Sequence, residues 1–450
     1  MEEEIIRSPE VLSQTLNAAD DVITDVPEAL RPPTKPVGLG LPAGIAIATV
    51  SWLAVGLPIL SLLLPEQINR LDPIHKVATL GIILTLGGLA GVISPPLGGA
   101  LSDRTTARIG RRRPWILGGM LGVVAGLLLA SQANTILFIA IGWIVINCCG
   151  NLLLAILNIL MPDRIPEKER GTASAIIGLA LPISTVLGML LVTTVLNLTG
   201  QSIPIAYSAL IAIIILLAGG FVLFYREPRL PKGAMPPFRL GEFVAGFWIS
   251  PRQFPDFAYA WITRFLVFLA FFTISSFSNF FLRDVVHYAQ LFPGHTVAEG
   301  MTIVTTISTV GSLVATLLGG IISDRFQRRK PFVIGATVLL ALSLLIPALI
   351  HTWPAVIVSF ALQGIGIGAY NAVDMALITQ VLPRAESRGK DLGVMVIALN
   401  VAQFLAPSVG ALAISIFASS VEAGYTSLFL VATVLTLLGA VLVQPIKSVR

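Results

Sequence analysis

Twelve apolar stretches, each of the order of twenty residues, run through this 450-residue chain and leave it very few possible folds. A hydrocarbon layer about 30 Å thick takes about 20 helical residues to cross. The stretches cover approximately 39-64, 75-101, 114-131, 134-161, 172-197, 203-225, 257-282, 298-322, 331-350, 354-382, 391-418 and 424-445. Lipid-exposed backbone has to satisfy its own hydrogen bonds, and runs this long without polar alternation exclude barrel strands. The expectation is an all-α membrane protein with twelve transmembrane helices. At 55% hydrophobic and 12% charged residues, the composition lies far from the balance of a soluble domain.

The twelve stretches divide into two sets of six. Gly98-Gly-Ala-Leu-Ser-Asp-Arg104 returns as Gly319-Gly-Ile-Ile-Ser-Asp-Arg325, five of seven residues being identical at an offset of 221. Each copy closes an apolar stretch and precedes a basic segment, Arg111-Arg-Arg-Pro114 or Arg328-Arg-Lys-Pro331, which opens the next. A repeat of this kind marks two copies of one membrane unit. Residues 39-225 form the N-terminal six-helix half in this reading, and 257-445 the C-terminal half. Between them, 226-256 is a proline-rich linker, while 1-38 and 446-450 are tails. The first tail holds eight acidic residues and no apolar core, so it reads as disordered and not as a signal peptide.

Lysines and arginines give the orientation. The tails and the loops after helices 2, 4, 6, 8 and 10 hold 25 of the 29, and the other side holds Arg70, Lys76 and Arg283. That asymmetry places both termini in the cytoplasm, with the plasma or inner membrane as the expected location. The net charge of +5 follows from the same one-sided bias. Anionic membrane lipids account for it, and no nucleic-acid partner is implied.

The twenty-ninth cation, Arg264, lies inside helix 7, and Asp374 lies inside helix 10; no other ionisable residue sits so deep in a span. They fall about seven and eight residues from the same membrane boundary, within ~12 Å at 1.5 Å per residue. Charges at that depth normally face a cavity or a partner. Asp103 and Asp324 pose a different problem, because they sit at helix C-termini where the helix dipole disfavours an anion. Arg112 and Arg329 are the cations available to compensate them.

Gly99-Ala-Leu-Ser-Asp-Arg104 with Gly110-Arg-Arg-Arg113, echoed after helix 8, resembles the signature loop of the major facilitator superfamily. A second echo, Pro166-Glu-Lys-Glu-Arg-Gly171 and Pro383-Arg-Ala-Glu-Ser-Arg-Gly389, strengthens the resemblance, which spans roughly residues 39-445. The longer first loop, from Ser102 to Pro114, is similar to that of the glycoside and sucrose transporter branch. The resemblance implies a secondary transporter working by alternating access on a small polar solute of sugar type, with cation coupling. It also implies a central cavity lined by helices 1, 4, 7 and 10, and a gating role for Asp103, Arg104, Arg112, Asp324, Arg325 and Arg329. Helices 1, 2 and 4 contain no buried acid for a sodium site, so the proton is the expected partner, with Asp374 and Arg264 as the coupling residues. Aromatic and amide groups on the cavity helices suit a polyol: Trp52, Trp143, Asn147, Asn151, Trp261, Asn279, Tyr370 and Asn371, alongside Arg264 and Asp374. An exporter, an uncoupled facilitator or a non-transporting membrane sensor are the alternatives. No Walker loop and no metal-ligand spacing occur in the sequence, so neither a cofactor nor enzyme chemistry is expected.

Overall fold

The computed structural model describes residues 33–231, 252–326, 329–381, 388–417 and 419–446, with residues 27, 233 and 241; side chains are described except at 320–329, 375, 376 and 379–392. Among the described residues, twelve helices are long and apolar enough to cross a membrane. They are α1 Gly40–Leu71, α2 Lys76–Asp103, α3 Arg113–Ser131, α4 Ile136–Arg164, α5 Glu167–Leu198 and α6 Ile203–Phe224 in the first half. The second half holds α7 Pro255–Asp284, α8 Val297–Phe326, α9 Arg329–Leu349, α10 Trp353–Val381, α11 Arg388–Ile416 and α12 Val421–Leu442. No strand occurs among the described residues. Most of the tails and of the linker lies outside them.

Local chemistry sets the helix ends. Pro114, Pro204 and Pro255 stand in the first turns of α3, α6 and α7, where a missing N–H costs no helical hydrogen bond. Ser420 caps α12 by accepting the Ala423 N–H at 3.1 Å. The first helix runs to Leu71, seven residues past the end of its apolar run at 64. Hydropathy falls at Glu66-Gln-Ile-Asn-Arg70, yet the helix persists because these polar groups find partners. Gln67 donates to the Ala130 carbonyl and accepts from the Tyr207 hydroxyl, both at 2.8 Å. A buried amide thereby staples α1 to α3 and α6.

Glycines let the remaining helices approach closely. A Cβ on Gly364 or Gly368 would lie 2.1 or 2.2 Å from the carbonyl oxygen of Ser308 or Ser312, so α10 packs backbone to backbone on α8. Gly126 does the same for α3 on α4 and Gly122 makes room there for the Cys149 side chain, whereas Gly118, which shares their spacing, faces open space. Pro58 precedes a π-helical turn, Ile59–Leu63, inside α1. Cys148 and Cys149 are free thiols.

Candidate functional site

Arg264 and Asp374 meet. The Arg264 Nη1 lies 3.1 Å from the Asp374 Oδ2, joining α7 to α10, with side chains 10% and 8% exposed. Arg264 is nine residues from the start of α7 and Asp374 seven from the end of α10, so both sit ~10–14 Å inside the helices. Tyr370, one helical turn before Asp374, gives the carboxylate a side-chain hydrogen bond. Phe268 lies under the guanidinium, 5.7 Å from ring centre to Cζ, and meets Tyr370 edge-on at 5.9 Å. The guanidinium is not saturated, because its Nε is buried with no described acceptor. Asn371, next to Tyr370, is exposed inside its span, as is Gln403 on α11.

The other candidate residues occupy different surroundings. Trp52 lies over Gly150 of α4, where a Cβ would come within 2.3 Å of the indole, and Trp143 lies over Gly87 of α2 in the same way. Both indoles fill helix–helix seams within the first half. The Trp261 indole N–H donates to the Val394 carbonyl of α11 at 3.0 Å. Asn147 and Asn151 donate to the carbonyls of Trp143 and Asn147, one turn back on their own helix. Asn279 reaches across to the other half and donates to the Ser61 carbonyl, in the π-turn of α1, at 3.0 Å.

The repeated loop builds a dense cluster at the end of the molecule that carries the basic loops. Asp103 at the end of α2 pairs with Arg112 Nη2 at 2.6 Å. Arg112 also donates to the Ser102 hydroxyl at 2.5 Å and to Asp163, at the end of α4, at 3.0 Å. Arg111 reaches the same Asp163 oxygen at 2.6 Å. Glu227, just past α6, accepts the backbone N–H groups of Arg112 and Arg113 at 2.5 and 2.7 Å, filling the anion site at the start of α3. Arg104 turns back on its own helix, donating to the Ala100 carbonyl at 2.7 Å. The side chains of Asp324, Arg325 and Arg329 lie outside the described residues. Sequence reasoning did not find Asp163, in the last turn of α4, or Glu227, just past α6.

At the opposite end the ion pairs join the two halves. Lys76 of α2 meets Asp284 of α7 at 2.7 Å, and Arg283 meets Glu66 of α1. Glu66 also holds Arg70 at 2.8 Å. These are the same three cations that break the one-sided charge distribution, and a partner acid explains each exception. Thr193 of α5 meets Thr302 of α8 at 2.7 Å, and Thr85 of α2 meets Ser408 of α11 at 2.7 Å. Every hydrogen bond and ion pair described between the halves lies from mid-helix toward this end.

Two six-helix halves with matching loops and their inter-half contacts gathered toward one end form an architecture that known proteins share. A sequence profile described as Major Facilitator Superfamily matches residues 43–301 and again 294–448. The chain belongs to that superfamily. It is an integral multi-pass membrane protein. Curated relatives match only short stretches. An uncharacterized symporter of Synechocystis sp. is 50% identical over 44 residues, 10% of this chain and 8% of the relative. The general alpha-glucoside permease of Schizosaccharomyces pombe is 29% identical over 126 residues, 24% of this chain and 23% of the relative. The chain thus spans well under a third of either relative's length. Among solved structures, a mutant of the nucleoside transporter NupG superposes with a TM-score of 0.70 at 15% identity, covering 90% of this chain and 100% of NupG. A bacterial homolog of the human lysosomal transporter Spinster, in an inward-facing and occupied conformation, gives 0.69 at 16% identity over 93% and 98% of the two chains. At such identities the likeness is one of fold.

Proposed function

We propose that this protein carries a small polar solute of sugar type together with protons, by alternating access, with the Arg264–Asp374 pair as the coupling element. The observation that carries the reading is the pair itself: two charges buried inside helices 7 and 10, joined by one ion pair and leaving the guanidinium short of acceptors. Charges at that depth are retained for function. If helix movement parts them, the carboxylate is left uncompensated in a low-dielectric setting, and a proton removes that charge. Proton uptake is then linked to the movement of helices 7 and 10. Asn371 and Gln403 support a water-facing surface nearby, because an amide exposed to acyl chains is costly. The relatives named a symporter and an alpha-glucoside permease favour solute coupled to a cation, and a glycoside-type solute.

Both termini face the cytoplasm in this reading, and residues 39-225 and 257-445 rock against each other about a solute held between them. Contacts joining the halves away from the basic loops support a state closed on the outside. Single cysteines at Asp20, Leu240 and Gln290, in a background without Cys148 and Cys149, test the topology. On intact cells an impermeant thiol reagent should label only the third, and labelling of either of the others would reverse the orientation. For the function, purified protein in proteoliposomes should exchange a glycoside in counterflow and concentrate it on an imposed proton gradient. Binding without exchange would make the chain a sensor; exchange with no response to the gradient would make it a facilitator.

A further inference from the structure

The helix 2–3 loop takes up two acids whose neighbours in sequence are arginines, Asp163-Arg164 at the end of α4 and Arg226-Glu227 after α6. Asp163 is held by Arg111 and Arg112, and Glu227 by the amides opening α3. Arg164 and Arg226 are left behind, with no carboxylate partner among the described residues. Both line the rim of a cavity of about 570 Å³ between α1 and α6. Apart from Tyr225 its walls are otherwise apolar, with Gly40 and Gly44 on α1, and Leu216, Gly220 and Phe224 on α6. Gly40 and Gly220 have nothing within 4 Å of where a Cβ would stand. The π-helical turn Ile215–Gly219 sets this wall, and Leu216 and Phe224 are 71% and 87% exposed. A greasy groove thus rises along two membrane helices and ends under two guanidiniums that no described carboxylate neutralises, at the end where the basic loops cluster.

We propose that this groove is a binding site for one anionic phospholipid, its phosphate on Arg164 and Arg226 and an acyl chain along Ile47, Leu216 and Gly220. Guanidinium is the side chain best shaped to hold a phosphate through two parallel hydrogen bonds. A basic pocket between membrane helices, on the side that faces anionic lipid, is where such head groups are captured. The acyl chain explains what the charge alone does not, namely an apolar groove left open at Gly40 and Gly220 beside the arginines. This site is independent of the solute and of Asp374.

The test uses the full-length protein, purified and delipidated in detergent, with native mass spectrometry and thermal unfolding as readouts. Phosphatidylglycerol should be retained and should raise the unfolding temperature, relative to phosphatidylcholine of the same chains. Arg164→Gln with Arg226→Gln should lower that preference about thirtyfold, since each cation near a lipid surface contributes about 1 kcal/mol. Gly220→Leu, which fills the groove and leaves both arginines, should also abolish selective retention. The same preference in the double variant, or an equal loss on Arg108→Gln at an exposed loop position, would overturn the proposal. Displacement of the lipid by millimolar inorganic phosphate as effective as by phosphatidylglycerol would overturn it too, by making the site one for a free anion.

Discussion

Arg112 and Arg264 are both buried arginines paired with an aspartate, and they differ in how completely they are satisfied. Arg112 bonds Asp103, Asp163 and the Ser102 hydroxyl while its own backbone N–H is held by Glu227. Arg264 has one ion pair, an aromatic ring beneath it and a buried Nε with no described acceptor. A guanidinium held from several sides fixes the elements that hold it, here the ends of α2, α4 and α6 around the start of α3. A guanidinium held from one side can exchange its partner at lower cost. The first arrangement is suited to keeping one half rigid while it moves as a body, and the second to a step repeated in every cycle.

Breaking the sparse pair should have the largest effect on folding. Arg264→Ala leaves an uncompensated carboxylate inside the membrane, and such changes cost about 3–5 kcal/mol. Adding Asp374→Ala should restore much of the unfolding temperature, measured in detergent. If the double variant is no better folded than Arg264→Ala alone, the two charges are not each other's main partners.

Next comes Asp163→Asn, which weakens the acceptor shared by Arg111 and Arg112. Hydrogen bonds to charged groups contribute about 1.5–3 kcal/mol, and the loss should appear in unfolding of the protein while proton coupling survives. Loss of coupling with normal stability would move the working site to the basic end.

The pairs between the halves should register in the conformational balance more than in stability. Glu66→Gln and Asp284→Asn each remove one partly exposed ion pair between the halves, worth at most about 1 kcal/mol, or about a fivefold shift between states. Distance measurements between spin labels on the outer ends of α1 and α7 should show the more open population rising. The charge exchange Lys76→Asp with Asp284→Lys should restore the original balance; an unchanged distribution in all of these variants would leave the pairs without a gating role.

Asp103→Asn should be the mildest, because Arg112 keeps Asp163 and Ser102. Transport should slow severalfold with solute affinity nearly unchanged, and an equal loss of binding would bring Asp103 into the solute site instead.

Much of this contrast could be read without coordinates. Lipid leaves so few folds that twelve apolar runs and one repeat led to the architecture. The Asp103–Arg112 contact was reachable through the repeat and the helix dipole, and the Arg264–Asp374 contact through isolation and matched depth. The tryptophans were harder: helices apolar on all sides give no periodic signal of which face turns inward, so Trp52 and Trp143 could be placed on helices 1 and 4 but not over Gly150 and Gly87. Asp163 and Glu227 were missed because their partners are 52 and 115 residues away, and nothing local announces a pairing at that range. Lys76 and Arg283 were legible only as exceptions to the charge bias, until Asp284 and Glu66 stood beside them.

Proton flux recorded together with solute uptake, in proteoliposomes holding wild-type protein or Asp374→Asn, tests the central claim most directly. Wild-type protein should take up protons with solute and concentrate it, while Asp374→Asn should still exchange solute in counterflow and no longer accumulate it on a proton gradient. An Asp374→Asn protein that concentrates solute as the wild type does would contradict the account.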